Sequence, residues 1–329
     1  MKPIFVALAA GFLAASLAGP AAGQQTGTVT VYTSQPSDQM AAVVTAFNTA
    51  HPGIRVELFR SGTTEVMNKL QAEFKAGSVQ ADVLLIADSI AMTALKNEHR
   101  LHAYTDAPVG DLPTALVDPD KTFFGTKLIT TGIIYNTNLV KQAPTSWNDL
   151  TAKDVASRLI MPSPLYSGAA VIHMGTMVQQ PAFGWKWYEA LATAGAVAGQ
   201  GNGTVVEAVA RGEKAYGIII EYMAFNAKAK GSPVDFVFPK EGVSVITQPV
   251  AILEGSKNLA AAKTFVDWQL SRAAQEQSVE QGYFPVFKGV ASPKGYPDAA
   301  SLKILPSDPA KMLADDKADK RRFADLFGG

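Results

Sequence analysis

The chain has 329 residues, 47% of them hydrophobic, with 29 basic and 29 acidic side chains. That length is ample for two domains with separate cores, and the zero formal charge argues against a nucleic-acid partner, which demands a basic excess. Cysteine is absent, which excludes disulfides, thiolate metal sites, cysteine nucleophiles and a lipid-modified cysteine at the start of a mature chain.

Lys2 supplies a positive charge ahead of an Ala- and Leu-rich apolar run over residues 4–17, which Pro20 breaks. Ala21, Ala22 and Gly23 then offer the small side chains a signal peptidase requires. Residues 1–23 therefore read as a signal peptide, and the remaining chain as exported and soluble. A retained anchor would use the same apolar run, but flanked by charges rather than by a cleavage pattern.

Residues 28–33 (TVTVYT) alternate around Val29 and Val31 as a first strand. The turn that follows carries Ser34 and Gln35, then Ser37 and Asp38, which are expected to cap a helix over residues 39–49. A second strand over 54–59 leads into Ser61, Gly62, Thr63 and Thr64, and then a helix through Met67, Leu70 and Phe74. Residues 82–87 (DVLLIA) form a third, buried strand that delivers Asp88 to its carboxyl end. Three strand–loop–helix units in succession imply α/β architecture with a mostly parallel sheet between helices.

The pattern then loosens over 103–126, and residues 127–135 (KLITTGIIY) read as a long strand interrupted at Gly132, passing between two domains. A second α/β run opens near Trp147, with a strand at 158–161, the loop through Ser167, Gly168 and Ala169, a helix after it and another over 185–193. The stretch 199–222 (GQGNGTVVEAVARGEKAYGIIIEY) organises the rest. Asn202, Gly203 and Thr204 start a helix that Gly212 stops, and Ile218, Ile219 and Ile220 form a doubly buried strand ending at Glu221 and Tyr222. Residues 243–253 cross back, followed by helices over 260–270 and 273–281 and a charged terminal helix over 310–327.

Three loops share one chemistry: small, hydrogen-bonding residues at a helix start, at Ser61–Gly62–Thr63, Ser167–Gly168–Ala169 and Asn202–Gly203–Thr204. Free N–H groups and the helix dipole favour an anion at such places, and small side chains let it approach. Each loop alone is equally an ordinary N-cap; three together point to one shared ligand between two lobes. Asp88, Glu221 and Tyr222 end buried strands, which puts them either on the same cleft or simply in solvent at the strand ends. Catalytic patterns are missing: there is no nucleophile elbow, no zinc-protease helix and no complete G-x-G-x-x-G. Asp118, Asp120 and Thr122 imitate a calcium loop, but Phe123 stands where its turn needs Gly. An exported hydrolase with Asp88 or Glu221 as base, and a sensor-domain partner, remain open beside a binding protein.

The segments VTVYTSQPSDQM, RSGTTEVMNKLQAEF, ADVLLIADS, FFGTKLITTGIIYN, MPSPLYSGAA and AVARGEKAYGIIIEYM resemble the periplasmic solute-binding proteins of ATP-binding-cassette importers. The chain is most similar to the ferric-ion-binding family and its relatives that take phosphorylated or phosphonate solutes. The resemblance implies a two-lobed type II periplasmic binding protein, monomeric, without catalysis or cofactor, that delivers cargo to a permease. Its lobes would be residues 24–127 with 250–304 returning, and 128–249 with 305–329 packing on the second. Hinge strands would lie at 127–131 and 248–251.

The ligand set it implies is Ser34, Gln35, Ser61, Gly62, Thr63, Asp88, Thr131, Ser167, Gly168, Ala169, Asn202, Glu221 and Tyr222. Iron-binding members use two consecutive tyrosines; here Tyr222 is followed by Met223, and Ser34–Gln35 stands where a histidine is expected. A thioether suits hard Fe³⁺ poorly. The main expectation is therefore an oxyanion-bearing organic solute, such as a sugar phosphate or phosphonate. The alternative cargo is ferric iron on Tyr222, Glu221 and Asp88, with phosphate as another possible occupant.

Overall fold

A computed structural model describes residues 26–328, so the signal peptide expected over 1–23 lies outside the described residues. No described helix is long and apolar enough to cross a membrane.

The first half runs β1 (Gly27–Thr33), α1 (Ser37–Ala50), β2 (Ile54–Arg60), α2 (Thr63–Ala76), β3 (Val83–Leu85) and α3 (Ser89–Asn97). β4 (Phe124–Asn136) leads to α4 (Lys153–Ala156), β5 (Leu159–Pro162), α5 (Gly168–Val178), α6 (Gly184–Thr193), β6 (Val197–Gly199) and α7 (Asn202–Ala210). Then come β7 (Tyr216–Ile220), α8 (Glu221–Ala229), β8 (Val234–Val237), β9 (Ser244–Ile252), α9 (Leu259–Gln269), α10 (Arg272–Glu280) and α11 (Pro309–Phe327).

The described strands join in the order β2-β1-β3-β9-β4-β7-β5-β6, with β8 also on β4. β1 is parallel to β2 and β3, and β5 is parallel to β6 and β7. β4 and β9 run antiparallel to each other and to their outer neighbours. The sheet is thus mixed: two parallel halves joined by an antiparallel pair. Each half packs its own core. Val29, Val31, Phe47, Val83 and Phe265 fill one, and Trp147, Leu159, Tyr188, Ile218 and Phe323 fill another. This is the two-lobed periplasmic-binding-protein fold.

Local physics moves several boundaries. Ser37 and Asp38 do not cap α1: its N-cap is Pro36, which has no side-chain bond, and both residues are exposed. The third strand is shorter than 82–87. Asp82 lies just ahead of it, its carboxylate accepting from Thr30 N–H (2.9 Å), Ser256 Oγ (2.7 Å) and Asn258 Nδ2 (3.1 Å). Gly132 does not interrupt β4. A Cβ there would lie 2.4 Å from Phe236 Cζ and 2.5 Å from the Val237 carbonyl, so β8 can close on β4 only at glycine. Gly212, with φ +76°, does stop α7, as a left-handed residue favours. α11 buries Met312 and Phe323 and lies against α3 as well as α5 and α6.

Candidate functional site

The two halves of the sheet face each other across a cleft of about 340 Å³. Five helix starts border it. α1 contributes Ser37, α2 Thr63 behind Gly62, α5 Ala169 behind its cap Ser167, α7 Asn202 to Thr204, and α8 Tyr222 and Met223. This follows from topology, since helices that leave parallel strands begin at the carboxyl edge of the sheet. The remaining wall comes from Ser34 and Gln35 after β1, Arg60 at the end of β2, Tyr166, Gln200, Gln248 of β9 and Tyr283 after α10.

The halves touch at glycines. The Tyr166 ring crosses from the β5 side so closely that a Cβ on Gly62 would sit 2.4 Å from it, and one on Gly201 3.0 Å. Thr64 N–H donates to the Tyr166 carbonyl at 3.3 Å. Gly168 abuts the opposite wall, where a Cβ would come within 2.7 Å of Asp88 Cβ and 2.9 Å of the Ala87 carbonyl.

Donors dominate the wall. Ser167 Oγ accepts from Ala170 N–H at 3.3 Å and from Asn202 Nδ2 at 3.2 Å, which occupies its acceptor sites and leaves its O–H to donate. Asn202 is mostly a strut, because its Oδ1 also accepts from Ile220 N–H at 3.4 Å. Arg60 Nε donates to the Gln35 carbonyl at 3.2 Å, and its guanidinium has no ion pair among the described residues. The Tyr222 and Tyr283 rings lie 4.3 Å apart, and burial pushes both phenols up, so they are neutral. Tyr283 donates its hydroxyl to Gln39 Oε1. No carboxylate and no histidine lines the cleft among the described residues.

Of the residues expected at the ligand, Ser34, Gln35, Gly62, Thr63, Ser167, Ala169, Asn202 and Tyr222 are brought together here. The others are not. Ser61 turns outward to Glu65, and Gly168 serves the contact between the halves rather than the ligand wall. Asp88 is buried as the N-cap of α3, accepting from Ala91 N–H at 2.9 Å, and burial raises its carboxyl to about 6. Glu221 is 0% exposed and accepts from Thr130 N–H at 2.6 Å; burial pushes it up to about 8. Thr131 is buried beside His173 in a separate small cavity. Neither Asp88 nor Glu221 reaches the cleft as a base or an iron ligand. The calcium-like loop is closed as well: Lys96 Nζ sits 2.6 Å from Asp118 and 2.7 Å from Asp120.

Sequence reasoning missed Arg60, Tyr166, Gln200, Gln248 and Tyr283. Arg60 had a signal, as the last residue of a strand in a parallel unit. Tyr283 had none, because it arrives from beyond α10.

A two-lobed α/β chain with a donor-lined cleft and, among the described residues, no catalytic constellation points to a class: receptors that enclose a small polar or anionic solute. The chain belongs to the bacterial extracellular solute-binding protein family, whose pattern it matches over residues 33–276. That membership places it among binding rather than catalytic proteins.

It is 27% identical over 318 residues to an Fe(3+)-binding periplasmic protein of Serratia marcescens, covering 92% of this chain and 88% of the relative. A probable ABC transporter periplasmic-binding protein of Sinorhizobium fredii is 26% identical over 255 residues, 73% of this chain and 69% of the relative. Among solved structures, the periplasmic binding protein AfuA of Actinobacillus pleuropneumoniae, with exogenous fructose-6-phosphate bound, superposes with TM-score 0.84 at 22% identity. That match covers 92% of this chain and 99% of AfuA. Ferric-binding proteins recur among the other similar folds.

Proposed function

We propose that this chain is the periplasmic receptor of an ATP-binding-cassette importer, and that its cargo is a small organic solute bearing a phosphate-like oxyanion. The donor set of the cleft carries the reading. Helix N-termini, the Ser167 hydroxyl and the Arg60 guanidinium offer hydrogen atoms to an anion, while no carboxylate stands on the described wall to repel it. Gln35, Gln200, Gln248 and the three tyrosines suit the hydroxyls of an attached polyol. A cleft of about 340 Å³ is far more room than a bare ion fills.

The lobes are residues 24–127 with 250–304, and 128–249 with the C-terminal segment, closing about β4 and β9 to present the cargo to a membrane permease. The receptor acts as a monomer.

Ferric iron is the second reading. The names of the relatives favour it, and one observation supports it: Tyr283 supplies beside Tyr222 the phenol that Met223 lacks. Two phenolates alone are too few for hard Fe³⁺, so a companion anion such as citrate would have to share the cleft.

Calorimetry with fructose 6-phosphate, inorganic phosphate and ferric citrate separates the two. Saturable binding of a phosphate compound by colourless protein is expected. A red complex with ferric citrate and no response to phosphates would reverse the order.

A further inference from the structure

β4 carries an irregularity that nothing above explains. Its register against β9 shifts between Gly125 and Leu128, where the paired residues are Pro249 and Thr247. The extra residue is a bulge, which re-aims side chains. Thr126 and Lys127 are both 1% exposed there. Thr126 is pinned, donating from Oγ1 to the Gln248 carbonyl (2.6 Å) and accepting at its own carbonyl from Gln275 Nε2 (2.6 Å). The bulge thereby directs Lys127 beneath the cleft floor. Its Nζ is 3.4 Å from Gln35 Oε1 and 4.5 Å from the centre of the Tyr283 ring. Gln35 Oε1 is held by Gln248 Nε2 at 3.0 Å, and all three of these neighbours line the cleft.

An ammonium buried this deeply ordinarily has a carboxylate partner. Lys127 forms no ion pair among the described residues. Around it stand uncharged groups: Gln35 ahead of α1, Gln248 of β9, Gln275 of α10, and Gln281 and Tyr283 after α10. The charged and titratable groups nearest those phenols are Asp38 of α1, Arg60 of β2, and Glu221 and Tyr222 of α8. None of them pairs with Lys127.

We propose that Lys127 is the buried counter-charge of the binding site: the oxyanion seats against Gln35 and Tyr283, and the Lys127 amine takes a proton from solvent as it does so. The inference rests on the oxyanion reading of the cargo. Burial alone brings the amine down to about 7, so above neutral pH and without an anion beside it the amine is largely the free base. Lys127 is a positioning residue that works through Gln35 and Tyr283 rather than by touching the solute.

The sign of proton linkage tests this. An anion that charges Lys127 draws protons in, whereas iron that ionises Tyr222 and Tyr283 releases them. Calorimetry at pH 8 in buffers of different ionisation enthalpy, with fructose 6-phosphate and inorganic phosphate as probes, should show uptake of about one proton per solute in the wild type. Lys127→Met, and Lys127→Gln as a second variant, should abolish the uptake. Both should weaken binding on the order of tenfold, the effect of one charge a side-chain layer away at an effective dielectric of ~20. Arg60→Gln should weaken binding yet keep the uptake, and circular dichroism checks that each variant is folded. Solute binding without proton uptake in the wild type, or uptake that survives in the Lys127 variants, overturns the inference and leaves the oxyanion reading standing. A wild type that binds neither phosphate probe, or that binds ferric citrate with proton release, overturns that reading and the inference with it.

Discussion

Replacing Gly168 by Ala should separate closing from folding. Gly168 is the first residue of α5, and the methyl it lacks would lie 2.7 Å from Asp88 Cβ, 2.9 Å from the Ala87 carbonyl and 2.9 Å from Thr63 Cγ2. All three contacts belong to the opposite half of the sheet. Two of them cannot rotate away, because Ala87 presents backbone and Asp88 Cβ is fixed by its main chain; only the Thr63 methyl can turn, about χ1. Relief requires the halves to separate by several tenths of an ångström. Overpacking of this kind costs about 1–3 kcal/mol. On the proposed closure about β4 and β9 this contact belongs to the closed form, so the cost falls on binding, a loss of roughly 5- to 150-fold. In an open form the methyl meets nothing from the other half, and Ala is a better helix former than Gly. The ligand-free variant should therefore be as stable as the wild type or more so while it binds more weakly. Calorimetry gives the affinity, thermal unfolding the stability, and small-angle scattering the loss of compaction on saturation. A variant that binds within twofold of wild type and compacts equally would refute the closed contact as the binding state.

Lys127→Met should raise stability in a pH-dependent way. The folded amine titrates near 7 against 10.5 for a lysine in water, so the wild type loses stability as pH falls from 10.5 to 7, by as much as about 5 kcal/mol at full effect. Urea midpoints at pH 7, 9 and 10 should show the variant's advantage shrinking upward, and a constant gap would contradict it. Glu221 has the opposite sign: a carboxyl raised from 4.5 to about 8 is stabilising below 4.5, a contribution lost as pH climbs through 8. Glu221→Gln keeps an acceptor for Thr130 N–H, so its melting temperature should gain on wild type between pH 5 and pH 8; an unchanged difference would dismiss the buried neutral acid. Tyr222→Phe should weaken an organic phosphate by about tenfold, the value of one hydrogen bond to a charged group. If wild-type protein instead turns red with ferric citrate and Tyr222→Phe bleaches it, iron is the cargo.

The sequence by itself determined most of the elements and their order, but not α3, β8 or α8, whose first residues Glu221 and Tyr222 read as a strand end. Alternating TVTVYT, the buried run at Ile218 to Ile220 and Gly-rich helix starts each encode a local conformation, and strand–helix alternation encodes a sheet whose carboxyl edge binds. That is why Ser34, Gln35, Gly62, Thr63, Ser167 and Asn202 were found: backbone geometry at a helix start places them whatever the rest of the chain does. Only the tertiary structure decided which side chains at those edges face the solute. Asp88 and Glu221 sit at the same kind of strand end as Tyr222, yet one caps α3 and the other folds back onto Thr130. Gln248 and Tyr283 reach the cleft from β9 and from beyond α10, and a bulge in β4 sets Lys127 beneath its floor. A bulge shifts register by one residue and turns a side chain through the sheet, and no local pattern of hydrophobicity records that, because it is set by the strand on the other side.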